Sequence, residues 1–252
     1  MDILLTNDDG YDSYGLHALA DALETLGTVT IVAPETDQSA TGRTHSSAVQ
    51  VTERERGYSI AGTPVDCILV GTEVLTNDPD FVVAGCNQGA NLGGHTLARS
   101  GTVSAAVEAT FRNIPAIAIS LYIPESDWPL EEDDPSLYPE AQRAATVLLE
   151  KTMSSTIYDD GGYLNVNVPL PSPRPSRFRV TMPSTFYSYA INEQDGRISI
   201  SDRSWDAMEA GKTVFEPGSD RSVVMNGDIS VSPLQAPHES RHQKKLQQLI
   251  GA

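Results

Sequence analysis

Cysteine is scarce: Cys67 and Cys86 are the two in 252 residues, too few for a disulfide framework or a four-ligand zinc site. Both lie in apolar runs, VDCILV and VVAGCN, and read as small buried hydrophobes. Lysine is scarce as well. Lys151, Lys212, Lys244 and Lys245 are the four lysines among 17 basic residues, set against 34 acidic ones for a formal charge of −17. A surface of that sign repels phosphate backbones, so a nucleic-acid polymer is not an expected partner. It suggests instead adaptation to high salt, where repulsion between acids is screened within about 3 Å at 1 M. No stretch approaches the roughly 18 uninterrupted apolar residues of a membrane span. Met1 leads straight into a strand-like DILLT, with no basic and then apolar leader. The expected location is therefore the cytoplasm, without a membrane partner.

What is present is the pattern of an α/β protein. Short apolar runs alternate with helix-period segments, as in βα units on a parallel sheet. Strands are predicted at Ile3–Thr6, Val29–Ala33, Phe81–Ala84 and Ala116–Ser120. Between the first two, Leu16, Leu19, Ala20 and Leu23 recur at helical spacing up to Gly27. Thr63-Pro64 reads as an N-cap followed by proline in the first turn, and a further helix follows Gly101. A helix around Ala141–Met153 and a YLNVNV strand come next, then a proline-rich connector, PLPSPRP. The following sixty residues read as antiparallel strands with an EQDG turn at Glu193–Gly196, and the stretch from His238 to Ile250 as a tail helix. The expected fold is a Rossmann-like, doubly wound, mostly parallel sheet in three α/β/α layers. Residues 1–252 are expected to form one domain, with a core over about 1–170 and a C-terminal hairpin and tail over about 171–252.

The chemistry gathers at predicted strand ends. The first strand closes in Asn7-Asp8-Asp9-Gly10. Adjacent carboxylates in a turn raise one another's pKa unless a cation neutralises them, and oxygen donors suit Mg2+, Mn2+ or Ca2+. An Asx-turn that merely caps backbone N–H groups is the plainer alternative. The second strand runs into a loop with Ser39, Ala40, Thr41 and Gly42, and the segment GCNQGANLGG carries Asn87 and Asn91 among four glycines. Ser100-Gly101-Thr102 opens a helix, whose free N–H groups and hydroxyls suit an anion. Cation donors on one side and anion donors on the other describe a phosphate-ester site.

Taken together, NDDG at 7–10, the Ser39 loop, GTPVDC at 62–67, GCNQGANLGG at 85–94, and SGTVSAAVEA with IPAIAIS at 100–120 resemble the survival protein E (SurE) family. The resemblance implies a metal-dependent nucleotidase that hydrolyses nucleoside monophosphates on a Rossmann-like core. It also implies a C-terminal part exchanged between subunits of a homodimer or homotetramer. Matched by motif, Asp8, Asp9, Ser39 and Asn87 are implied to hold one divalent cation per subunit, Mg2+ or Mn2+. Asn91, Ser100, Gly101 and Thr102 are implied to hold the phosphate, with Asn7 beside them. Asp8 or Asp9 is expected to orient water for attack or take its proton. The chain departs from the family pattern at Ala40 and Cys86, neither of which removes a ligand.

Rival readings place the same residues differently. An aspartyl-phosphate phosphatase also keeps acids at its first strand end, but separated by one residue. A phosphorylation receiver wants a third acid and a lysine later in the sheet, where this chain has Asn87 and no lysine before Lys151. A nucleotide-binding module without turnover is a third option, although no G-x-G-x-x-G follows the first strand. His238 and His242 are spaced to pair on a metal but lack a third ligand. His45 and His95 fall in loops beside the expected cleft, where either can contact substrate. Phe186, Tyr187, Tyr189 and Trp205 read as interface residues before base-stacking ones.

Overall fold

The computed structural model describes residues 1–124, 134–210 and 215–236. Nine strands form one sheet in the order β3-β4-β2-β1-β5-β6-β7-β11-β8. Its centre is parallel: β1 (Asp2–Thr6) lies between β2 (Thr28–Pro34) and β5 (Phe81–Gln88), and β6 (Ala116–Tyr122) and β7 (Gly162–Pro169) follow in the same sense. Side chains alternate across this sheet and divide the core in two. Ile3, Leu5, Ile31 and Val83 face α1 (Tyr14–Leu23) and α5 (Pro139–Thr152). Leu4, Val32 and Val82 face α2 (Pro64–Val70) and α4 (Gly101–Thr110). Leu16, Leu19 and Leu23 of α1 are fully buried, each contributing roughly 1.5–3 kcal/mol relative to an exposed side chain. The three-layer, mostly parallel architecture agrees with the sequence reading, and every predicted core strand is present.

The Thr63 cap is more complete than expected. Its hydroxyl accepts from the Asp66 N–H at 3.2 Å, while Asp66 Oδ2 accepts from the Thr63 N–H at 2.8 Å, a capping box with proline in the first turn. The EQDG turn also forms. It joins β9 (Tyr189–Gln194) to β10 (Arg197–Asp202), with positive φ at Asp195 and Gly196, as a two-residue hairpin loop requires.

One strand pair was not anticipated and one expectation needs correction. Residues Val51–Arg54 and Gly57–Ile60 form β3 and β4, an antiparallel pair whose second strand adds to β2 in parallel; the charged TERER stretch of β3 and its turn gives no apolar signal. The region after the prolines is not simply antiparallel. β8 (Phe178–Val180) runs parallel to β11 (Ile229–Gln235), which pairs antiparallel with β7. Two short helices, α6 (Ser204–Glu209) and α7 (Asp220–Met225), interrupt the strands. Ser219 caps α7 by accepting from the Ser222 N–H at 3.3 Å, a local bond that competes with strand pairing. The tail helix expected from His238, with His242, lies outside the described residues. Among the described residues, no helix is long and apolar enough to cross a membrane.

Candidate functional site

The turn after β1 is built locally. The Asn7 carboxamide donates to the Gly10 carbonyl at 2.9 Å and to Ser13 Oγ at 2.7 Å, and its Oδ1 accepts from the Gly10 N–H at 3.3 Å. The side chain that was a candidate beside the phosphate is thus engaged inside the turn and fully buried. Its closure presents Asp8 and Asp9 at the carboxyl edge of the sheet, where open α/β folds bind ligands.

The two neighbouring acids line adjoining hollows. Asp8 lines a cavity of about 430 Å3 together with Ser39, Asn87, Asn91 and Ser100. Asp9 opens on an adjoining hollow of about 360 Å3 that also contains Asp12, Glu35 and Asp37; Gln88 borders both. The Gln88 N–H donates to Asp9 Oδ2 at 3.1 Å. Asp8 is 4% exposed and accepts from the Thr102 hydroxyl. Gly101 is packed so closely that a Cβ there would stand 2.7 Å from Asp8 Cβ, so the first turn of α4 rests directly on the carboxylate. Ser100 caps that helix, its Oγ accepting from the Val103 N–H at 3.0 Å. On the far side, Ser39 is exposed, and its hydroxyl and N–H both donate to Asp37 Oδ1, at 2.6 and 2.8 Å. The ladder from β5 to β6 shifts register after Ala84, around a cis Gly85–Cys86 peptide, and sets Asn87 opposite Ser120.

Electrostatics make the acid pair unusual. Burial pushes the Asp8 carboxyl above its ordinary range, with Asp37 adding to it and the Thr102 hydrogen bonds opposing. Burial, then Asp8, then Asp37 push Asp9 up to about 7 against the Gln88 N–H. Among the described ion pairs no arginine or lysine meets either acid. A buried and a half-buried carboxylate, Asp8 and Asp9, without a counter-ion suit a cation. Among the described residues no three His, Cys, Asp or Glu side chains stand together to hold one. The hydroxyl of Ser39 and the amide of Asn87 line the same cavity as Asp8 and offer oxygens to an ion beside the carboxylates. That all-oxygen set fits a hard divalent cation.

The rest of the cavity wall was not singled out as ligands. Gln88, Arg99, Asp202, Tyr189 and Trp205 line it. The last two were read as interface or base-stacking residues; Tyr189 reaches the wall from β9 and Trp205 from α6. His95 lines the cavity and stacks on Tyr187 at a centroid separation of 4.1 Å, whereas His45 is exposed, with Nδ1 facing the Ser46 carbonyl. Phe186 packs edge-on against Phe215 in a separate small core. His17 is half-buried against the Tyr11 ring. Both cysteines are free and buried, as expected.

A three-layer α/β sheet with carboxylates after its first strand, amide donors after its central strand and a helix start beside them defines a phosphoester-site protein. The comparisons make the class specific. A sequence model of the Survival protein SurE family matches residues 3–188. The 5′-nucleotidase SurE of Haloquadratum walsbyi is 44% identical over 255 residues, covering 100% of this chain and 96% of that protein. The protein of the same name from Natronomonas pharaonis is 49% identical over 242 residues, covering 94% of each. The crystal structure of SurE from Aquifex aeolicus superposes with a TM-score of 0.83 at 29% identity, covering 99% of this chain and all of that one. The chain belongs to the SurE family.

Proposed function

We propose that this cavity hydrolyses nucleoside monophosphates to nucleoside and phosphate, the activity named for the chain's full-length relatives as 5′-nucleotidase. The observation that carries the reading is the convergence of Asp8 from the turn after β1, Ser39 from the loop after β2, Asn87 from β5 and Ser100 from the start of α4 on one cavity. Asp8, Asp9, Ser39 and Asn87 would hold one divalent cation, Mg2+ or Mn2+, per subunit. Bound there, such an ion supplies positive charge against the phosphoryl oxygens and makes water more acidic.

The remaining work falls to the chain. Asn91, through the second N–H of its carboxamide, and the Ser100 hydroxyl and Gly101 N–H of the helix start hold the phosphoryl oxygens, with Thr102 beside them. The Thr102 hydroxyl keeps Asp8 in place. Asp8 or Asp9 orients a water for in-line attack and takes its proton as the new P–O bond forms, while the ester P–O bond breaks and the nucleoside oxygen leaves with a proton. In a body of charge −17, a phosphate dianion is drawn in by these local donors, by Arg99 in the cavity wall and by the cation, so added salt raises its association rate. The hairpin points to a homodimer or homotetramer. Ile191, Ile198 and Ile200 share one of its faces and are 69%, 67% and 68% exposed, an apolar stripe suited to a second copy.

The test is turnover of AMP with Mn2+. Asp8→Asn lowers kcat/KM by about a thousandfold, exhaustive chelation abolishes activity, and Mn2+ or Mg2+ restores it. In labelled water the oxygen enters phosphate without a trappable phosphoenzyme. Turnover that survives chelation, or that is unchanged in Asp8→Asn, overturns the reading.

A further inference from the structure

Asn91 is set from beneath by two central strands. Ser120 and Asn167 are opposed partners in the β6–β7 ladder, with Asn165 opposite Ala118 one step along the same face. All three are fully buried. The Asn167 carboxamide grips the backbone of residue 91 at both ends: its Oδ1 accepts the Asn91 N–H at 2.7 Å, and its Nδ2 donates to the Asn91 carbonyl at 3.1 Å. Asn165 Nδ2 donates to the same carbonyl at 3.0 Å. The side chain of Asn91 donates through Nδ2 to Ser120 Oγ at 2.9 Å. Four hydrogen bonds therefore fix the height, tilt and side-chain direction of one cavity residue.

Folding alone gives little reason for this arrangement. Burying polar amides costs stability unless every group is paired, and Asn165 Oδ1 has no partner among the described residues. The ladders of β7 with β6 and β11 use backbone groups that apolar side chains would leave intact. We infer that Ser120, Asn165 and Asn167 are positioning residues that hold Asn91 at the depth and orientation from which it grips the phosphoryl group. They touch neither phosphate nor cation and act through Asn91, so the inference rests on the phosphate role proposed for that residue.

The test uses the metal-loaded enzyme with AMP as substrate, inorganic phosphate as product inhibitor, and thermal unfolding as a separate readout. Asn167→Ala raises KM and the inhibition constant for inorganic phosphate together, by about tenfold. Ser120→Ala, which removes one oxygen and carries the test should Asn167→Ala not fold, raises both by about threefold. In an Asn91→Ala background, Asn167→Ala adds less than about twofold, because the group through which it acts is gone. A lowered melting temperature with phosphate inhibition unchanged in Asn167→Ala and Ser120→Ala overturns the inference, as does a full Asn167→Ala effect in the Asn91→Ala background. If Asn91→Ala itself leaves phosphate inhibition unchanged, the phosphate role of Asn91 fails and takes the inference with it. If only the strand variants are silent, that role stands alone.

Discussion

The turn after β1 and the loop after β5 both serve the cavity, but they are held by different kinds of contact. Asn7, Gly10 and Ser13 close the first within three and six residues of sequence. The second is held residue by residue from afar. Asn91 is bonded to a strand 76 residues on, the Gly93 N–H donates to Asp220 Oδ2 at 2.7 Å across 127 residues, and the Leu92 carbonyl accepts from Arg221 at 3.2 Å. A locally closed turn keeps its shape when distant parts change. A loop tied to the C-terminal segment transmits changes in that segment to the site.

The largest effect tests the distant ties. Asp220 is fully buried and accepts from the N–H groups of Gly93, Ser184 and Arg221, and the neighbouring Arg221 is 2% exposed. Asp220→Ala strands three donors and removes the largest of the acidic contributions, ahead of those of Asp202 and Glu216, that offset the buried Arg221 guanidinium, costing about 3–5 kcal/mol. A urea titration measures that loss, and KM for AMP should rise in the protein that still folds. An unaltered midpoint would separate the loop from the C-terminal segment and end the comparison.

A smaller effect is expected where the local turn meets α4. Gly101→Ala forces a Cβ against the Asp8 side chain, an overpacking that costs about 1–3 kcal/mol. Because Asp8 is the residue displaced, kcat falls more than stability does. Equal losses of stability and rate, read from unfolding and turnover of one preparation, would mean that the contact is only packing.

The smallest effect comes from a local cap remote from the cavity. Burial pushes the Asp66 carboxyl up, but the N–H groups of Thr63 and Ser46 and the two hydroxyls win and hold it below its ordinary range. A carboxyl lowered by folding adds stability that is present above its unfolded pKa and is lost as pH falls through the folded value. Asp66→Asn should cost about 1 kcal/mol at pH 7, and the gap from the parent should close in strongly acidic solution, with KM for AMP unchanged. Denaturant midpoints across pH check the first point and kinetics the second.

Much of the molecule was legible in its sequence because the determining contacts are short. The core strands, the helix after Gly101 and the Thr63-Pro64 cap follow from apolar period and cap chemistry, and NDDG from its own turn. The high-salt expectation, drawn from charge alone, agrees with the haloarchaeal sources of the relatives. Other features were not legible. LNVNV alternates as a half-solvated strand does, yet both asparagines are buried beneath Asn91. β3 lacks an apolar signal, β4 is only four residues long, and α6 and α7 are too short to announce a period. The place of Tyr189 on β9 and of Trp205 on α6 at the cavity wall shows only in the folded chain.

Residue order by itself determined the layered α/β architecture, the acidic surface and the location of the chemistry at strand ends, because hydrophobic period, charge and turn-forming side chains act over a few residues. Tertiary structure alone decided that Asp8 shares a cavity with Ser39 and Asn87, that two strand asparagines point inward at residue 91, and that Asp220 reaches the loop after β5. Those outcomes depend on pairing and packing between segments far apart in the chain, which no local pattern encodes.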